Sequence, residues 1–149
     1  MSALIGGGIA VASGWIVERS RWKREEQRHE RDRRTALYAD YLAALLSARE
    51  QIWHASQWHE LPRDERIAMA RDSLRDSQVY PVRDRVSLVG PPPIDELAYE
   101  IVRRLTAYRD AVIEGVNDSD AEWRPTWDAF NEARAALTIV MKTDLDSLR

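Results

Sequence analysis

Residues 1–17, MSALIGGGIAVASGWIV, carry no charged side chain and run directly into residues 18–34, ERSRWKREEQRHERDRR. The second stretch holds eight basic and five acidic side chains. A helix as long as the first stretch would extend about 25 Å, against a bilayer hydrocarbon core of about 30 Å. We therefore predict a transmembrane anchor over residues 1–17 that continues into a charged helical stalk over residues 18–35.

The side chains around the end of this anchor suit a membrane interface. Trp15 and Trp22 are seven residues apart, so a helix would place both on one face, where aromatic residues border bilayers. Arginines beside them can extend their charges towards headgroups. The predicted membrane and interface residues are Leu4, Ile5, Ile9, Val11, Trp15, Ile16, Val17, Arg19, Arg21 and Trp22.

The basic residues follow the apolar stretch rather than precede it. The positive-inside rule then predicts a single-pass protein of the inner cell membrane with its C-terminal body in the cytoplasm. Two alternatives stay open. A secretory signal peptide would need its positive charge before the apolar run, and a soluble protein would bury the first helix against its own core.

Small residues recur every four positions in the anchor, at Gly6, Ala10 and Gly14. This spacing would allow two membrane helices to approach closely, so a homo-oligomer is one interpretation. The alternative is that small residues are simply frequent in this stretch.

The remaining composition excludes several classes of partner and chemistry. Residues 35–149 hold fourteen basic and twenty acidic side chains, and an acidic body disfavours nucleic acid as a partner. The chain has no cysteine, which excludes disulfide bonds and thiol chemistry.

Apolar residues at helical spacing predict an antiparallel bundle of three or four helices over residues 36–149. The first helix runs to about residue 60 before Pro62, a shorter one spans about 63–78, and a strong one spans 94–116. Residues 82–89 alternate with period two and indicate a strand, a helical turn or an extended connector, of which the strand is disfavoured. The stripe predicted for the first bundle helix comprises Tyr38, Tyr41, Leu45, Ala48, Ile52 and Ala55.

Ser119 forms a capping-box pattern with Glu122 for the last predicted helix, and Pro125 is expected to delay its regular start to about Thr126. Tryptophans flank both ends of the central region, and we expect them to pack in the core or at one end of the bundle. An aromatic ligand pocket is the alternative interpretation. These tryptophans are Trp53, Trp58, Trp123 and Trp127.

The sequence contains no recognisable catalytic constellation. Glu50 and His54 are four residues apart and could share a metal on a helix, but no third ligand accompanies them. The glycines at positions 6–8 lack the Lys-Ser/Thr of a phosphate-binding loop. We therefore predict no catalytic, cofactor or metal site, and a protein that is not an enzyme.

Several segments resemble small, N-terminally membrane-anchored helical proteins of actinobacteria and their bacteriophages. They are the apolar N-terminus and the Arg/Glu stalk, followed by LYADYLAA at 37–44, VSLVG at 86–90, AFNEAR at 129–134 and Asp144-Leu145. The resemblance implies a single-span topology and no known activity. The three prolines at 91–93 depart from the small or polar residues usual there.

These features predict a membrane-tethered, cytoplasmic helical bundle that acts by protein–protein interaction, as a scaffold or regulatory adaptor. One alternative is a phage or host-defence envelope factor, such as a superinfection-exclusion or toxin-like protein. Another is a soluble helical regulator that binds a ligand.

Overall fold

One helix, α1 (Gly7–Gln57), has 51 residues in the computed structural model, which describes the backbone of residues 7–148 and the side chains of residue 18 and residues 21–148. At 1.5 Å per residue α1 is about 75 Å long. Four more helices follow it in this part of the chain: α2 (Arg63–Asp76), α3 (Val79–Val89), α4 (Pro92–Glu114) and α5 (Trp123–Ser147). Residues 7–148 contain no strand, so the predicted all-α class is confirmed.

Side-chain contacts define the direction of each arm of the bundle. Ser77 lies at the end of α2 and bonds to Ser47, about three turns before the end of α1, at 3.1 Å. The end of α5 meets the start of the bundled part of α1, where Arg34 bonds to Asp144. The predicted bundle is confirmed as a four-armed antiparallel arrangement, with α1, α2–α3, α4 and α5 as its arms.

The second arm is broken in two, which differs from the sequence prediction. Gln78 adopts the left-handed conformation, with φ of 58°, and separates α2 from α3. Pro81 falls in the first turn of α3, where its missing N–H needs no partner. Residues 82–89 are therefore helical rather than a connector, because Val79, Val82 and Val86 bury one helical face.

The core is built from the apolar stripes of all arms. Every residue of the stripe predicted for the first bundle helix is buried, and Tyr41, Leu45, Ala48 and Ile52 are fully so. Each buried side chain of leucine or isoleucine size contributes about 1.5–3 kcal/mol relative to its exposed state. Facing residues from the other arms include Leu74, Val86, Ile101, Leu105, Phe130 and Leu137.

Two helix ends show how local chemistry sets the boundaries. Gly115 ends α4 with φ of 110°, a conformation that glycine adopts without strain. The predicted capping box is wrong, because no side chain of Glu122 or Ser119 caps α5. Instead Asn117 and Asp120 bond within their own turn, and α5 starts at Trp123, ahead of Pro125.

The N-terminal part of α1 extends away from this core. Side chains at residue 18 and residues 21–29 are exposed, and burial begins at Glu30 and Arg31. Residues 1–6 of the predicted anchor lie outside the described part of the chain. None of the helices in residues 7–148 is long and apolar enough to cross a membrane.

Candidate interaction surface

The predicted anchor and interface residues fall on the first turns of α1 or precede it. Leu4, Ile5 and Gly6 lie outside the described residues. The structure describes two of the remaining side chains, Arg21 and Trp22. Arg21 forms an exposed ion pair with Glu25 at 3.5 Å, and Trp22 is 71% exposed. Positions on the described α1 backbone are Ile9, Ala10, Val11, Gly14, Trp15, Ile16, Val17 and Arg19.

The histidine sites considered from the sequence do not assemble into a ligand set. His54 Nε2 lies 3.9 Å from Glu50, and its ring packs between Trp53 and Trp58, with centroid distances of 5.0 and 4.7 Å. Across residues 7–148, no group of three or more His, Asp or Glu side chains is arranged to hold a metal ion.

An open groove of about 360 Å³ separates α1 from α3 near the end of the bundle that meets the stalk. The α1 wall presents residues at helical spacing i, i+3, i+4 and i+7, and the α3 wall presents i, i+3 and i+4. Each wall is therefore a single face of its helix. The lining residues are Arg33, Arg34, Ala36, Leu37, Asp40, Arg85, Leu88 and Val89; we call them the α1–α3 groove.

Leu88 is the most exposed large apolar side chain among the described residues, at 84%. Leu88 is outside the apolar face of α3, which is formed by Val79, Val82 and Val86 and packs against the core. Leu37 and Val89 beside it are only half-buried. Together these residues form a small apolar cluster with charged residues at its rim.

The charged residues of the α1–α3 groove differ in how far they are already paired. Arg33 bonds to Glu30 at 3.2 Å, and Arg34 bonds to both Glu30 and Asp144. No ion pair within the described chain involves Arg85 or Asp40, which line opposite walls of the groove and are exposed. These two charges are available to a partner.

One wall of the groove is held in place from behind by Asp144 of α5. Its carboxylate accepts hydrogen bonds from Arg34 at 2.9 and 3.0 Å and from the Tyr38 hydroxyl at 2.7 Å. Burial, followed by the hydrogen bond to Asp144, raises the pKa of the Tyr38 hydroxyl. Arg31 also donates to the carbonyl of Leu145, so the stalk end of the bundle is tied to the end of α5.

The four tryptophans predicted to pack together separate into two groups: Trp53 and Trp58 flank His54, with Trp58 47% exposed, whereas Trp123 and Trp127 form a cluster at the end of the bundle opposite the stalk. Trp123 stacks on Trp127 at 4.9 Å, Tyr108 meets both rings edge-on, and the Arg49 guanidinium lies 4.8 Å from the Trp127 ring centroid. Burial raises the pKa of Tyr108 to about 12. This cluster joins α1, α4 and α5, and we assign it to packing.

Comparison with protein-family models, with curated proteins and with solved structures finds no match to this chain. The functional argument therefore depends on the geometry of the molecule itself. The α1–α3 groove is the surface that sequence reasoning missed. Its available signal was Leu88, an apolar residue that a helical α3 would leave outside the stripe formed by its valines.

Proposed function

We propose that the protein is a membrane-tethered helical adaptor, which holds a bundle on a helical stalk and makes its protein–protein contact through the α1–α3 groove. The observation that carries this proposal is the continuity of α1. A single helix begins at Gly7, within the apolar N-terminal segment, and ends at Gln57, deep in the bundle. A tether at its start would therefore fix the distance and direction of the bundle.

The spacing agrees with a role just above a membrane surface. From Val17 to Glu30, where burial begins, a helix rises about 20 Å. The described side chains of this stretch are polar apart from Trp22 and are exposed. This arrangement would keep the groove clear of the headgroups and accessible to a protein partner.

The orientation follows from charge. The basic residues after the apolar segment support a single-pass topology in the inner membrane with the bundle in the cytoplasm. The groove, rather than a catalytic centre, is then the working part of the molecule. An adaptor of this kind needs an exposed apolar cluster and free charges, and Leu88, Arg85 and Asp40 provide both.

Alkaline carbonate extraction of membranes tests the tether. We expect the full-length protein to stay in the membrane pellet. A variant lacking residues 2–17 should move to the supernatant and keep its cooperative melting transition, because the buried core begins at Tyr38. Release of the full-length protein into the supernatant would contradict the proposal, as would loss of the melting transition in the shortened variant.

A further inference from the structure

The α1–α3 groove carries both halves of a self-complementary contact. Hydrogen bonds from Ser77 to Ser47 and from Gln51 to Ser77 set the register between α1 and the second arm. With the two helices antiparallel, α3 continues this register along the groove. Arg85 then lies at the level of Asp40 on the facing wall, and Leu88 lies at the level of Leu37.

A two-fold axis parallel to α1 would keep every residue at its own level. It would bring α3 of one copy against α1 of a second copy. Arg85 would meet Asp40 of the partner subunit, and Leu88 would meet Leu37 of the partner subunit. The same two contacts would recur on the other side of the axis, as an isologous interface requires.

We infer that the α1–α3 groove is covered by a second copy of this chain, docked in the same orientation about such an axis so that the two grooves face each other. This arrangement gives partners to two opposite charges and covers the 84% exposed Leu88 in one step. An unrelated acidic helix would pair with Arg85 but would place like charge against Asp40. Charge complementarity therefore favours the second copy.

The orientation also places both stalks at the same end of the dimer. In this respect the inference rests on the proposed function, because two tethered copies must have their N-termini on the same membrane. The four-residue spacing of Gly6, Ala10 and Gly14 would allow the two anchors to approach closely. The surface that the groove alone would bury is smaller than the roughly 1,200–2,000 Å² of a stable interface. Tethering both copies to one membrane would offset this, because it raises their effective concentration.

Reciprocal charge reversal tests the inference. Full-length chains carrying Arg85→Asp or Asp40→Arg are labelled separately and reconstituted in liposomes, and dimerisation is measured by energy transfer. Each variant alone should dimerise at least about tenfold more weakly than the wild type, because like charges would face each other. A mixture of the two variants should recover wild-type energy transfer, since every contact across the axis would again join opposite charges.

Recovery in the mixture also shows that both variants are folded. Arg71→Asp and Glu132→Arg change exposed residues away from the groove and form the matched control pair, for which we expect wild-type dimerisation alone and when mixed. Dimers that survive both single reversals would point to the anchor alone and overturn the inference. A monomeric wild type, or no recovery in the mixture, would also overturn it. Carbonate extraction of the same variants separates these results from failure of the tether.

Discussion

At the scale of single residues, Asp144 joins parts of the chain that lie 106 and 110 positions apart. Its side chain is 8% exposed and accepts hydrogen bonds from Arg34 and Tyr38 of α1. A carboxylate this well buried depends on its partners, and its removal would leave Arg34 paired with Glu30 alone.

We predict that Asp144→Asn lowers the free energy of unfolding by about 2 kcal/mol, because one charged pair and its hydrogen bonds are weakened. Asp128→Asn on the same helix is the matched control. Asp128 pairs with Arg124 at 3.7 Å with both side chains more than half exposed, so the expected loss is below about 0.5 kcal/mol. Urea unfolding of the three proteins measures both values, and equal losses would contradict the assignment.

Two buried tyrosines differ in whether their hydroxyl group makes a hydrogen bond. The Tyr41 hydroxyl donates to the carbonyl of Ala98 at 2.9 Å. The Tyr108 hydroxyl is buried and makes no hydrogen bond of good geometry among the described residues. We expect Tyr41→Phe to cost about 1 kcal/mol and Tyr108→Phe to be neutral or slightly stabilising. The same urea series tests this, and a larger loss for Tyr108→Phe would be inconsistent with an unpaired hydroxyl.

The pH response of α4 is set by one surface carboxylate. Hydrogen bonds from Arg103 and then Arg104 hold the pKa of Glu100 at about 2, compared with an ordinary value of 4.5. The folded-state pKa lies below the unfolded one, so the stabilising contribution is complete above about pH 4.5 and is lost as the pH falls towards 2.

NMR titration of the Glu100 carboxyl tests this value directly. We predict a pKa near 2 in the wild type and a return towards 4.5 when Arg103 and Arg104 are both replaced by alanine. An unchanged pKa in the double variant would exclude the two guanidinium groups as its cause.

At the scale of helices and turns, backbone conformation decides where the second arm breaks. Gln78 holds a positive φ that side chains with a Cβ adopt at a cost, whereas Gly115 holds one that suits glycine. We predict that Gln78→Gly stabilises the fold by about 0.5–1 kcal/mol and that Gly115→Ala destabilises it by about 1 kcal/mol. Thermal unfolding measures the pair, and changes of the same sign would contradict the conformational explanation.

Helices with a continuous apolar stripe were predictable from spacing alone. The stripe from Tyr38 to Ala55 and the one in α4 from Ile101 to Val112 are both buried in the core. The helix α3 was not predictable in this way, because Val82, Val86 and Leu88 also fit a period of two and Pro81 suggested a stop. This segment is helical because Val79, Val82 and Val86 pack against the core, and the local sequence pattern does not show that packing.

The interaction surface was still harder to predict. The walls of the α1–α3 groove come from segments that are about fifty positions apart in the chain, and only the register between α1 and the second arm brings them together. The sequence does show that Leu88 is apolar. Its exposure follows from the direction in which α3 packs.

At the scale of the whole molecule, α1 connects the apolar N-terminal segment to the bundle. The α1–α3 groove lies at the end of the bundle where α1 enters it. The Asp144 network ties α5 to α1 where the stalk enters the bundle, so an orientation imposed on the stalk is passed to the groove. We propose that the apolar segment crosses a membrane and leaves the bundle on the cytoplasmic side.

The absence of native cysteine makes the most direct test straightforward. Full-length chains carrying Ser2→Cys or His59→Cys are expressed in bacterial cells and exposed to a membrane-impermeant maleimide. The account predicts that position 2 is labelled in intact cells, whereas position 59, in the exposed turn after α1, is labelled only after the membrane is permeabilised. Labelling of position 59 in intact cells, or protection of both positions until permeabilisation, would contradict the account.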